Sequence, residues 1–165
     1  MVFRSATYLV LSAVSVLASD IRPWGEVGSW SIEVDPSVGQ GCFAQRQFDD
    51  GTLVQIGTVP EQAGGFFAAY NAGWSQIADG QEGLIKFDFG DAKFAGDAVG
   101  RHRDDLFGAY AFFDNPEFVS EFAKRNSVKV SGEGGTEIEF SLSGTGKAIE
   151  AVLACQAEQP QSGSE

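Results

Sequence analysis

Histidine and methionine each occur once in this chain and cysteine only twice, and these scarcities remove whole classes of chemistry. Two cysteines and His102 cannot supply the usual ligand set of a zinc site. The cysteines are far apart, so no Cys-x-x-Cys redox pair exists and thiol–disulfide catalysis is not expected. The run Gly132-Glu133-Gly134-Gly135 carries an acid and lacks the lysine of a phosphate-cradling loop. Ser141 to Gly146 lacks the Gly-x-Ser-x-Gly pattern of a nucleophile elbow. Cations are few as well, 11 Lys and Arg against 23 Asp and Glu. Phosphate backbones and anionic membrane surfaces need clustered basic side chains, so nucleic acid and such membranes are not expected partners. After residue 18 no apolar run approaches the roughly 20 residues of a membrane-spanning helix.

The first 18 residues have a different character. Arg4 is the only charge before Asp20, and the stretch between them is apolar and ends in small residues. A basic start, a short apolar centre, and Val16 and Ala18 at the −3 and −1 positions are the parts of a secretory signal. Residues 1–18 are therefore expected to be a signal peptide cleaved after Ala18, leaving a single domain over 19–156. Cleavage removes Arg4, so the mature chain carries ten basic residues against 23 acidic ones, a charge of −13. Residues 157–165 are polar, without apolar anchors, and are expected to form a disordered tail. Export places the two cysteines in an oxidising compartment, where lone pairs of cysteines usually join. A Cys42–Cys155 bridge is expected, closing a loop of 113 residues.

Within the mature chain, Ser29 to Val34 alternates apolar and polar residues, the period-2 mark of a half-buried strand. Gly41–Phe48 and Thr52–Gly57 flank Asp49-Asp50-Gly51, the clearest hairpin in the chain. Further strands are expected over Phe66–Asn71, Gly83–Phe89, Ser127–Ser131 and Thr136–Leu142, separated by turns rich in Gly and Asp. Asp114-Asn115-Pro116-Glu117 reads as a helix start, followed by the apolar stripe Phe118, Val119, Phe122 and Ala123. Thr145 is placed to cap a second helix, with Ala148, Ile149, Val152 and Leu153 as its buried stripe. The fold class expected is mainly β: an antiparallel β-sandwich or barrel-like sheet with two short helices, about 115–125 and 146–155.

Trp30 ahead of Gly41-Cys42-Phe43, the central Gly73-Trp74 with Asp79-Gly80, and Ser141-Leu142-Ser143-Gly144-Thr145 leading to Ala148 and Cys155 carry a resemblance. The chain resembles a group of small exported, mostly uncharacterised proteins of alphaproteobacteria, distantly similar to the invasion-associated locus B family. The resemblance spans most of residues 29–156 and rests on scattered positions. It implies a periplasmic or secreted bacterial protein with a small β-rich domain. It brings no catalytic residues, and the invasion role is not carried over with it.

Candidates for chemistry are few. His102 sits in Arg101-His102-Arg103-Asp104-Asp105 with no serine or cysteine in a nucleophile context, so the segment reads as a self-neutralising surface turn. Asp49, Asp50, Asp79, Glu82, Asp88, Asp91 and Asp97 are possible oxygen ligands, but none follows the calcium-loop order. No catalytic residue, metal site or cofactor is assigned. Of the aromatics, Trp24, Tyr70, Trp74 and Tyr110 are the candidates to line a ligand groove, and the phenylalanines are core. Trp24 stands in a proline-containing leader before the first clear strand. The function expected is a non-enzymatic binding or accessory protein of the cell envelope, periplasmic or secreted. Its partner would be an envelope protein or a small ligand met at a sheet face or groove with acidic rims. A carboxylate-dependent hydrolase, or an inhibitor presenting the loop Thr58–Gly65, are the alternatives.

Overall fold

The computed structural model describes residues 20–135 and 137–160; the expected signal peptide and residues 161–165 lie outside them. Ten strands form one antiparallel sheet: β1 (Arg22–Val27), β2 (Trp30–Asp35), β3 (Gly41–Gln47), β4 (Leu53–Gly57), β5 (Gly65–Asn71), β6 (Glu82–Asp88), β7 (Lys93–Arg103), β8 (Leu106–Phe113), β9 (Ser127–Gly132) and β10 (Glu137–Ser141). Two helices accompany it, α1 (Pro116–Lys124) and α2 (Thr145–Glu158). The strand order is β1-β2-β3-β4-β5-β8-β7-β6-β9-β10. The sheet stays open, with β1 and β10 as its two edges. It nevertheless curls on itself, since Phe140 on β10 lies 6.0 Å from Phe67 on β5 and 5.6 Å from Phe48 beyond β3. The mainly β class with two helices is thus as the sequence indicated, realised as one curled sheet without barrel closure.

Alternation sets which side chains enter the core. In β2, Trp30, Ile32 and Val34 are buried while the residues between them are half-buried, and in β6 Ile85 and Phe87 point inward. The inner face meets α1, whose ring contacts build the centre of the core: Phe118 packs 4.1 Å from Phe113 and 5.1 Å from Phe87, and Phe122 lies 5.7 Å from Phe67. The start signal of α1 works as its residues indicate, the Asn115 side chain accepting from the Glu117 amide at 2.9 Å with Pro116 in the first turn. Its buried set differs at one place. Ala123 is exposed and Glu121 is buried instead, held by Arg125 at 2.8 Å and Lys124 at 3.3 Å.

Helix α2 covers the inner face of β2 and β3 and runs to Glu158, past the expected end near 155. Gly144, with φ of +80°, occupies the cap position, a left-handed conformation that suits glycine. Thr145 is therefore not the cap; it is the first helical residue, fully buried, with no hydrogen-bond partner for its hydroxyl among the described residues. Ala148, Ile149, Val152 and Cys155 are buried, whereas Leu153 is 54% exposed because it sits outside that stripe. Cys155 joins Cys42 in a disulfide with Cα atoms 6.1 Å apart, both residues fully buried. Next to it Gln156 accepts from the Cys42 amide at 2.9 Å and donates to the Gln40 carbonyl at 3.2 Å. The last helix is thereby tied to the start of β3.

Three strands are not anticipated by sequence pattern. Trp24 lies within β1, an edge strand paired with β2 and interrupted by an irregularity between Pro23 and Gly25. Strands β7 and β8 form a long hairpin beside β5.

Candidate functional site

The smallness of the inner face of β7 and β8 creates a pocket. Ala98 on β7 and Ala109 on β8 line it with side chains smaller than a filled core would carry, and Gly100 lies there against the β5–β6 connection. Gly83, Ala69 and Gly132 leave further room on the neighbouring strands, and a pocket of about 260 Å³ opens at that end of the curled sheet. Its floor is apolar, formed by Phe67, Ile85, Val130 and Phe140, with Ile138 on the β10 side. Its mouth is formed by Trp74, Gln76 and Ile77 from the β5–β6 connection and by Glu82 and Glu133. Glu82 opens β6 and Glu133 stands in the exposed β9–β10 turn, with a carboxylate oxygen 3.3 Å from where a Cβ on Gly83 would stand.

The β5–β6 connection is held over this opening from β7. The Gly100 amide donates to the Gln81 carbonyl at 2.7 Å, and the Gly100 carbonyl accepts from the Gly80 amide at 2.9 Å. A Cβ on Gly100 would stand 2.0 Å from the Ala78 carbonyl oxygen, so only glycine lets the connection lie this close. His102 completes the attachment. Its amide donates to Asp79 at 3.1 Å, and its Nε2 lies 2.8 Å from the Ile77 carbonyl oxygen. A carbonyl only accepts, so Nε2 carries the proton in this contact. The ring also stands edge-on to Phe107 at 4.8 Å. His102 is exposed beside the Asp104–Asp105 turn, as its sequence context indicated, but its contacts make it an anchor for the pocket's rim.

The four aromatic candidates separate into three places. Trp74 is half-buried at the pocket mouth. Tyr70 and Tyr110 lie on the opposite, outer face of the sheet, because Ala68↔Tyr110 and Tyr70↔Gly108 are the facing pairs while Phe67 and Ala69 point inward. Tyr70 is buried, and burial pushes its hydroxyl pKa up against the opposing pull of Arg103 and Arg101. Burial likewise raises that of Tyr110, whose ring stacks on Phe66 at 5.3 Å. Trp24 is 37% exposed on the edge strand and donates from its indole nitrogen to Glu158 at 2.8 Å. Of the aromatic candidates only Trp74 lies at this pocket, and Gly100 and Ile77 were not among the candidates. The sequence signal there is small residues at alternate positions, Gly96, Ala98 and Gly100, which in isolation marks no site.

Among the described residues, no three His, Cys, Asp or Glu side chains converge as metal ligands. No described helix is long and apolar enough to cross a membrane. The β4–β5 loop Thr58–Gly64 is tied at its start, where the Thr58 hydroxyl donates to Gln156 at 3.1 Å and its amide to the Cys42 carbonyl at 3.1 Å.

Fold and site together define a small disulfide-closed antiparallel β domain with an apolar pocket at one end of a curled sheet. No family model matches the chain, and no curated protein sequence matches it. Among solved structures it is similar to the invasion associated protein B of Bartonella henselae, with a TM-score of 0.50 and 16% sequence identity. The alignment covers 81% of this chain and 98% of that one, and the likeness lies in the fold.

Proposed function

We propose that the protein is an exported, non-enzymatic binding protein of the bacterial cell envelope, and that the pocket beneath Trp74 is where it takes a small apolar ligand. The single observation carrying this reading is the open apolar pocket beside Ala69, Gly83, Ala98, Ala109 and Gly132, in a domain whose core is otherwise filled by phenylalanine. Domains of this size close-pack their interiors, and an open apolar pocket with a few polar groups at its mouth is the usual form of a ligand site. A cavity of 150 Å³ takes a six-carbon ring, so by proportion the space here suits a body of about ten carbons. Export is supported by the signal-like residues 1–18 and by the fully buried Cys42–Cys155 bridge, which belongs in an oxidising compartment.

Naphthalene, a neutral ten-carbon probe, tests the site. At ten times its Kd it should stabilise the oxidised domain by about 1.4 kcal/mol, a rise of several degrees in melting temperature. The variant Ala98→Leu fills the pocket from β7, and it should fold and lose the rise. An equal rise in both proteins would sink the assignment. Export is checked by the mass of the protein recovered from its own cells, expected to begin at Ser19. A carboxylate hydrolase has less support, because Glu82 and Glu133 stand at the rim of an apolar pocket with no polar wall to seat a sugar.

A further inference from the structure

The charges at the pocket mouth name the class of ligand. Resting on the reading of the pocket as a ligand site, we propose that its ligand is an amphiphile with an apolar body and a cationic head, such as an amine or a quaternary ammonium. Every charged residue lining the pocket is an acid: Glu82 and Glu133 are present, and no Lys, Arg or His joins them. Neither carboxylate has a cationic side chain within 4 Å among the described residues, whereas Asp88, Asp91, Glu121 and Glu137 each do. The floor is apolar, so a bound body would leave any head group at the mouth, beside Glu133 and the half-buried ring of Trp74. An aromatic face and a carboxylate together favour a cation and disfavour an anion. The acidity of the whole chain adds to that field, since 23 acids outnumber 11 bases.

Three probes sharing a ten-carbon body separate the charge from the apolar contact: decyltrimethylammonium, decanol and undecanoate. Titration calorimetry on the oxidised mature protein, at concentrations below micelle formation, should rank them cation, neutral, anion. The cation should bind about tenfold tighter than decanol at low salt, with the margin shrinking as ionic strength rises. Glu133→Gln changes an exposed turn residue and should cut the cation's advantage over decanol severalfold. A melting curve that overlays that of the wild type shows that the variant is folded. If decanol binds the wild-type protein and all three probes bind alike, the head-group assignment is overturned while the pocket reading stands. If none of the three binds, both fall together. A ranking that survives intact in Glu133→Gln would also overturn the role given to that carboxylate.

Discussion

Removing the Cys42–Cys155 bridge should lower the melting temperature of this domain by about 10–16 °C, and the figure follows from chain geometry. The bridge spans a sequence separation of 113, nearly the whole folded chain. Cross-linking a loop of that length removes roughly 16 cal/mol/K from the unfolded state, or about 4.8 kcal/mol at 25 °C. With unfolding entropy near 2.1 cal/mol/K per residue over roughly 140 folded residues, that is about 16 °C, and measured bridges often give less. The double variant Cys42→Ala/Cys155→Ala is the appropriate perturbation, because both residues are fully buried and alanine strands no polar atom there. The Gln156 bonds to the Cys42 amide and the Gln40 carbonyl remain available in the variant, so α2 should still dock. Circular dichroism melts of the oxidised protein and the variant give the difference directly. A drop below about 3 °C would mean that the unfolded chain is already compact without the bridge, so that the bridge restricts little.

Gly100→Ala places a methyl 2.0 Å from the Ala78 carbonyl, so the β5–β6 connection should lift from β7. Amide exchange at Gly80 and Gly100 should then accelerate together while core amides of β5 stay protected, and unchanged exchange would show that the connection is not held there. Phe122→Ala opens the centre of the phenylalanine cluster and should cost about 3–5 kcal/mol in a denaturant titration; under about 1 kcal/mol would mean the rings are loosely packed. The Arg125 guanidinium, helped by Lys124, holds the Glu121 carboxyl below its ordinary value of 4.5. A carboxyl depressed in the folded state stabilises it above its unfolded pKa, and that contribution fades as pH falls through the folded one. Glu121→Gln should therefore melt below wild type at neutral pH, and the gap should close on acidification through the carboxylate range. A gap independent of pH would deny the ion pair its role.

How far the sequence discloses the fold depends on whether its strands carry large alternating side chains. The strands Trp30–Asp35 and Glu82–Asp88 alternate between a buried and a more exposed face, so their period shows, while the pair around Asp49-Asp50-Gly51 is marked by its turn. Strand β7 reads Lys-Phe-Ala-Gly-Asp-Ala-Val-Gly-Arg-His-Arg, and its inward positions at Gly96, Ala98 and Gly100 are too small to register as an apolar face. Strand β8 is apolar on both faces, Phe113 packing inward and Tyr110 outward against Phe66, which erases alternation. In β7 the small inward residues that hide the strand, Ala98 and Gly100, also line the pocket. Edge strand β1 has almost no buried residue to mark it, and its Pro23 argues locally against a strand. Trp74 was visible as an aromatic at a turn. Its partners Phe140 and Ile138, 64 or more residues away in the chain, come together only through the curl of the sheet.

Where a bound probe sits decides whether the pocket is a ligand site. Crystals of the oxidised mature domain grown with 1-bromonaphthalene would mark the ligand by the anomalous signal of its bromine. The expected result is one dominant peak between Trp74 and Phe140, inside the curl of the sheet. A peak on the outer face beside Tyr70 and Tyr110, with the pocket empty, would contradict it.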